Sequence, residues 1–384
     1  MLNVALLTSN AATTESIECL THQSSVFKLV SKGSPVRSIR EFMQLLSTHD
    51  PELILLDLND WDTVSALARQ FQESKFRGIL IGFKSAWNRA EQLTFEEAGI
   101  IDLLHEPFSH YDLEKIAYTS LHRGRAVENR NIVALLPAKA GGGCSTIALN
   151  VAAALADELA KKVLLIEADR RSGVLSIMLN LQNGVGLAEA LQQAGELTPV
   201  DWQRYTVWVS GIHLLPANPA RRGPLPTWAD YYLLLRFAQQ HYDFTFVDLP
   251  EIVNEATAEV VKSARTICIV CTPEVPSLKM AEQRIVELEA CEIPADRIHI
   301  VLNRCERGSL SIQEVERIVR RPVLAGLPND YREVKKAILE SRLVSPNTRF
   351  AKGCKTLAHK LSGLPSVSRT ESKFTFLREL VHAD

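Results

Sequence analysis

The sequence predicts an α/β protein in which a five-stranded parallel-sheet domain precedes a larger doubly wound domain. Three observations lead there. The chain has 384 residues, more than twice the roughly 150 usual for one domain. Short apolar runs alternate with helix-period segments along most of its length. The polar stretch HRGRAVENRN breaks that alternation, after which it resumes.

In residues 1–122 the strand-like runs are NVALLT, VFKLV, ELILLDL, GILIGF and IIDLLH. Between them, segments such as VRSIREFMQLLSTH and DTVSALARQFQES repeat apolar residues every three or four positions. Five short strands alternating with helices predict a parallel sheet covered on both faces. Residues 123–130 read as a linker. Over 131–363 a second series runs NIVALLP, KVLLIEAD, IHLLPA, DFTFVDLP, TICIVCTPE, IHIVLNR and PVLAGLP, with helical segments between. Residues 364–384 form a tail, polar at first and then KFTFLRELV.

The totals exclude several classes. A net charge of -2 argues against a generally basic nucleic-acid binder. No apolar run reaches the ~18 residues needed to span a bilayer, and the N-terminus lacks a basic region with a cleavage site, so a cytoplasmic protein is expected. The seven cysteines have no framework spacing. Cys268 and Cys271 lie three apart on one strand and point to opposite faces, which predicts buried thiols rather than a metal pair.

The strongest chemical signal is Ala138-Lys139-Ala140-Gly141-Gly142-Gly143-Cys144-Ser145-Thr146, between the strand NIVALLP and the helical STIALNVAAALADEL. Glycines let successive N–H groups face one anion, and the helix N-terminus adds partial positive charge. Ser145 stands where a hydroxyl meets Mg²⁺, and Thr146 can reach a phosphate oxygen. Against GxxxxGK[ST], Ala138 replaces the first glycine and Cys144 the phosphate-binding lysine. In VLLIEAD, Glu167 and Asp169 stand at the carboxyl end of a strand, and in DFTFVD Asp248 has the form of a Walker B carboxylate holding Mg²⁺ through water. One strand-end aspartate is as readily a helix cap, but three such features in order point to a nucleotide site.

The turn resembles the deviant Walker A of the MinD/ParA family, KGGxGK[ST], with Lys139 at the signature lysine. By that resemblance Lys139 reaches the partner's phosphates across a nucleotide-sandwich homodimer. Asp169 then matches the second aspartate of the family's DxD segment, associated with the attacking water, and Glu167 replaces the first. The segments VDLP, TPEVPSLKMA, LNR and LPNDYREVKKAI look like the CpaE/TadZ group, MinD-like proteins of Flp (Tad) pilus assembly. This likeness covers the second domain and implies ATP with Mg²⁺, Asn303 and Arg304 near the adenine, and Pro328 and Asn329 lining the base pocket. It further implies partners in the pilus or secretion machinery, including its motor ATPase, and recruitment to a cell pole or the inner membrane face.

That group also carries a receiver-like first domain. Asp57 stands at the phosphoacceptor position. However, Glu106 replaces the expected lysine in HEPF, and Thr8-Ser9-Asn10 stands where an acidic pair belongs. A glutamate there repels a phosphoryl group, so a contact-making pseudo-receiver with a vestigial Asp57 is expected.

Replacing the lysine by Cys144 removes a charge-assisted bond, weakening phosphate binding roughly ten- to hundredfold unless a partner's Lys139 compensates. ATP-driven dimerisation with slow or absent hydrolysis follows as the expectation. The alternatives are an active MinD/ParA-type ATPase that positions cargo, and a phosphorylation-dependent regulator with a P-loop output. Cys144 is expected as a small residue filling the lysine's space, although a thiol at a helix N-terminus can also become acidic. In KFTFLRELV, Phe374, Leu377 and Val381 keep helical spacing. Glu371 and Glu379 beside Lys373 and Arg378 favour docking on protein over more than peripheral membrane contact.

Overall fold

The computed structural model describes residues 1–31, 39–74, 76, 78–122, 131–181, 185–218 and 223–363. The chain divides into two compact units, Met1–Ala126 and Val127–Asp384. The expected linker and the KFTFLRELV tail lie outside the described residues.

In the first unit β1 (Leu2–Leu7), β2 (Phe27–Ser31), β3 (Leu53–Asp57), β4 (Ile79–Lys84) and β5 (Ile100–His105) alternate with five helices. These are α1 (Ala11–Gln23), α2 (Ile39–His49), α3 (Trp61–Glu73), α4 (Arg89–Glu97) and α5 (His110–His122). All strands pair in parallel, in the order β2-β1-β3-β4-β5, a common doubly wound order. The apolar runs form strands because every residue of β3 is buried. Ile54 and Leu56 on that strand pack with Phe42, Leu46, Leu67 and Phe71 from α2 and α3. Asn10 caps α1 by accepting the Ala12 N–H, and Asn88 with Glu91 forms a reciprocal cap on α4.

The second unit is an eight-stranded sheet in the order β13-β12-β11-β6-β10-β7-β9-β8. Its strands are β6 (Ile132–Pro137), β7 (Val163–Glu167), β8 (Val207–Val209), β9 (Ile212–Leu215), β10 (Phe244–Asp248), β11 (Thr266–Cys271), β12 (Ile298–Cys305) and β13 (Val323–Pro328). The helices are α6 (Cys144–Leu159), the short α7 (Leu175–Met178), α8 (Leu187–Gln192) and α9 (Pro199–Tyr205), then α10 (Trp228–His241), α11 (Glu255–Ser263), α12 (Val275–Ala290), α13 (Ile312–Val319), α14 (Tyr331–Leu339) and α15 (Arg349–Ser362). Seven of these strands match the apolar runs of the sequence. The eighth, β8, pairs antiparallel with β9 through a two-residue turn in which Ser210 and Gly211 both take positive φ. Its three residues are too few to show alternation.

Helix α6 is the structural centre. Nine of its sixteen residues are buried, among them Ile147, Leu149, Val151 and Leu155. Burying side chains of that size contributes about 1.5–3 kcal/mol each. It packs on Val133, Leu165 and Phe246 of the sheet and on Phe350, Leu357 and Leu361 of α15. This packing fixes the height of its N-terminus against the carboxyl ends of β6, β10 and β7. Cys268 and Cys271 are buried free thiols, and Cys268 belongs to the same core as Cys144.

Candidate nucleotide site

Between β6 and α6 the turn is built by two left-handed glycines, Gly141 at φ 80 and Gly143 at φ 90. Gly143 is the N-cap of α6 and provides no side-chain cap for the first N–H groups of a sixteen-residue helix. The turn closes through the Gly142 N–H on the Lys139 carbonyl at 3.2 Å, and the Ala138 N–H reaches Val270 on β11 at 2.9 Å. Lys139, Ala140 and Gly141 are exposed.

Two side chains from the end of β12 hold this turn on its carbonyl side. Asn303 Nδ2 donates to the Gly142 carbonyl at 2.8 Å, and Arg304 donates to the Gly141 carbonyl at 2.8 Å. Asn303 is buried, whereas Arg304 is exposed and adopts φ 59. A Cβ at Gly143 would lie 2.4 Å from Asn303 Nδ2, so with Asn303 in place only glycine fits at 143. Pro328 ends β13 opposite Cys305, and the Asn329 N–H donates to the Cys305 carbonyl at 2.8 Å. Residues 303, 304, 328 and 329 therefore meet at one edge.

The carboxylates sit on the neighbouring strands. Asp248 pairs in register with Leu135 of β6 and Glu167 of β7. It is buried, beside the Ser145 hydroxyl and the Cys144 thiol. Burial pushes its carboxyl up to about 6, those two neighbouring groups pull it down, and the charge of Asp169 adds to the rise. Glu167 is fully buried, with one oxygen accepting the Leu175 N–H at 2.7 Å and the other the Ala217 N–H at 2.9 Å. Burial lifts it to about 7. It thus pins the start of α7 and the exit of β9 to the end of β7. Asp169 is half-buried and caps its own turn, accepting the Arg171 and Ser172 N–H groups at 3.0 and 2.8 Å.

Cys144 departs from the lesser of its two readings, the acidic thiol. It is 5% exposed, and burial, followed by the charge of Asp248, holds its thiol well above the ordinary range. The helix N-terminus does not win because the side chain turns into the core towards Asp248 and Cys268. Thr146 lies two residues further, its carbonyl accepting from Asn150 Nδ2 at 2.8 Å. Two features escaped sequence reasoning. Asn150 ties α6 to the Val344 N–H at 3.1 Å, and Glu251 accepts the Ala140 N–H at 3.0 Å. Neither contact has a local signature, since the partners are 194 and 111 residues apart.

An uncapped helix N-terminus, a glycine turn, a hydroxyl and a buried carboxylate form a donor set suited to a phosphate chain with a hard cation. Among the described residues no group of three or more His, Cys, Asp or Glu is gathered that could hold a metal ion. A cation here would thus share its ligands with phosphate and water, as Mg²⁺ commonly does.

Residues 128–307 match the ParA family model, described as NUBPL iron-transfer P-loop NTPase. Septum site-determining protein MinD of Thermotoga maritima is 25% identical over 244 residues, covering 61% of this chain and 88% of that protein. An uncharacterized ATP-binding protein of Methanocaldococcus jannaschii is 26% identical over 249 residues, covering 63% and 92%. Among solved structures, a ParA family ATPase from Chlorobium tepidum aligns with a TM-score of 0.54 at 24% identity, over 60% of this chain and 97% of that one. The MinC:MinD complex of Aquifex aeolicus gives 0.52 at 22% identity, over 62% and 99%. The second unit has a ParA/MinD-like P-loop NTPase fold and resembles these proteins in sequence. Its curated relatives include MinD proteins of several organisms.

In the first unit, Asp57 is buried and its carboxylate is satisfied internally. Thr8 Oγ1 donates at 2.7 Å, and Asn59 donates through its backbone N–H at 3.0 Å and its Nδ2 at 2.9 Å. Asn59 also reaches Glu106 at 3.5 Å. Lys84 pairs with Glu91 at 2.7 Å. Among the described residues no helix is long and apolar enough to cross a membrane.

Proposed function

We propose that the second unit binds Mg-ATP at the carboxyl edge of its sheet and that the chain acts as a nucleotide-controlled, dimerising localisation or assembly factor, with slow or absent hydrolysis. The observation that carries this reading is the phosphate turn with Cys144 in the lysine position, its thiol turned inward to Asp248. The nucleotide keeps the amides, Ser145, Thr146 and Asp248, with Mg²⁺ on Ser145 and Asp248, but lacks the in-chain cation that stabilises charge during phosphoryl transfer. Lys139 is exposed beside the turn, in keeping with its proposed reach to a partner copy. Asp169 is assigned to the attacking water, and Asn303, Arg304, Pro328 and Asn329 to the base end. The CpaE/TadZ likeness supplies the setting, a Tad-type pilus or secretion system with its motor ATPase as a partner and recruitment to a pole or the inner membrane face.

The first unit is proposed as a pseudo-receiver that makes contacts. The hydrogen bonds from Thr8 and Asn59 to Asp57 support this, since a phosphoryl group would have to displace them beside Glu106. Acetyl phosphate is expected to leave the intact mass unchanged, and an 80 Da gain lost in Asp57→Ala would overturn the assignment.

A second reading, an active ATPase that positions cargo by repeated hydrolysis, draws support from the MinD relatives. One experiment addresses the nucleotide reading: equilibrium binding of Mg-ATP and Mg-ADP with light-scattering mass recorded alongside. Micromolar ATP affinity with a doubled mass is expected. No binding at millimolar concentration would overturn it, and fast turnover abolished by Asp169→Ala would favour the cargo-positioning ATPase.

A further inference from the structure

The loop 249–254 leaves β10 just after Asp248 and places Glu251 against the phosphate turn. One Glu251 oxygen accepts the Ala140 N–H at 3.0 Å. The other lies 4.0 Å from an Arg284 Nη2 on α12. The Arg284 side chain is 10% exposed and pairs with Glu287, and its Nε has no hydrogen-bond partner among the described residues. The next residue, Ile252, is 72% exposed. A carboxylate thus already occupies an amide of the turn that a phosphate oxygen would use, and a buried guanidinium stands within reach on its other side.

We propose that Glu251 is a built-in competitor for the terminal phosphate of the nucleotide, setting discrimination between triphosphate and diphosphate. The inference rests on the nucleotide reading above and deepens it. Ala140 lies at the strand end of the turn, away from the helix N-terminus where the inner phosphates are cradled. The terminal phosphate of such a site lies towards the loop that follows the Walker B strand. A carboxylate and a phosphate oxygen cannot share one N–H, and two like charges a few ångströms apart repel. A triphosphate therefore displaces Glu251, whereas a diphosphate, one phosphate shorter, leaves it in place. The displaced carboxylate moves onto Arg284, and the loop carries Ile252 with it. That movement gives a partner an apolar side chain whose position reports the nucleotide.

The test is Mg-ATP and Mg-ADP binding to full-length Glu251→Gln, with Glu251→Asp, one methylene shorter, as a second variant. Loss of the competing charge is expected to tighten ATP binding about tenfold while ADP changes less than about twofold, one charge-assisted hydrogen bond being at stake. Arg284→Gln removes the receiving partner, so it is expected to weaken ATP binding several-fold in the native background and to have no effect in Glu251→Gln. Equal changes for ATP and ADP, or weaker ATP binding by both Glu251 variants, would overturn the proposal while leaving the nucleotide site intact. An Arg284 effect that persists at full size in Glu251→Gln would overturn the relay. If neither the native protein nor either Glu251 variant binds either nucleotide, the nucleotide reading itself falls, and this inference with it.

Discussion

At Asp248, burial and the proposed chemistry oppose each other. An ordinary aspartate titrates near 4, but burial moves this one to about 6. Because the folded value is raised, the stability linked to its protonation is complete below about pH 4 and is lost as pH rises through about 6. Above that pH the nucleotide-free fold carries a buried charge, which a bound cation would neutralise. Asp248→Asn is therefore expected to stabilise the nucleotide-free protein by roughly 2–3 kcal/mol at pH 8 and by only about 1 kcal/mol at pH 4.5. Denaturant midpoints at the two pH values check this, and equal shifts at both would argue against it. The same variant should lose the magnesium dependence of ATP binding. At Cys144 the expected change has the other sign. Cys144→Lys restores a cation one residue before Ser145, beside a carboxylate that can receive it, and should tighten Mg-ATP about tenfold in a titration.

At the scale of elements, the turn and β12 behave as one unit. Gly143→Ala puts a Cβ into Asn303 and forces a left-handed backbone onto an L side chain. A loss of roughly 1–3 kcal/mol in unfolding free energy is expected, with a weakened ATP site. Gly141→Ala meets no atom within 4 Å of its Cβ and should cost only the backbone part. The double variant Gly143→Ala/Asn303→Ala should be less destabilised than the sum of its singles, because truncating Asn303 removes the clash that the Gly143→Ala single carries. This is also where legibility in the sequence ends. The strands of both sheets could be read because buried parallel strands are nearly continuous apolar runs. The turn could be read because glycine, hydroxyl and helix follow in order. Strand β8 could not, since Val207–Val209 is three residues of edge structure defined by its partner. Nor could the bonds from Asn303, Arg304, Glu251 and Glu167, which are set by strand order and not by neighbours in the chain.

At the scale of the whole molecule, two compact units share one chain, and each has its own sheet and core. A ligand that binds only the second unit stabilises that unit by mass action. Heating is expected to give two transitions, and saturating Mg-ATP should raise one and leave the other in place, as read by differential scanning calorimetry. A shift of both would mean that the nucleotide's stabilisation spreads to the first unit. In the sequence, a polar interruption separates the two alternating series. The sequence carried less about what the first unit does, because the Asp57 network depends on Thr8 and Asn59 meeting one carboxylate from two strand ends.

The two side chains that grip the phosphate turn from β12 have a kinetic consequence. A glycine-rich stretch left to itself would sample many backbone shapes, and only a small share would accept a ligand. With the Gly141 and Gly142 carbonyls held, the competent shape is populated before any encounter, and association does not wait on a search through loop conformations. Recognition at this edge should begin as a collision with a finished surface, and whatever slow step follows belongs to the loop after β10.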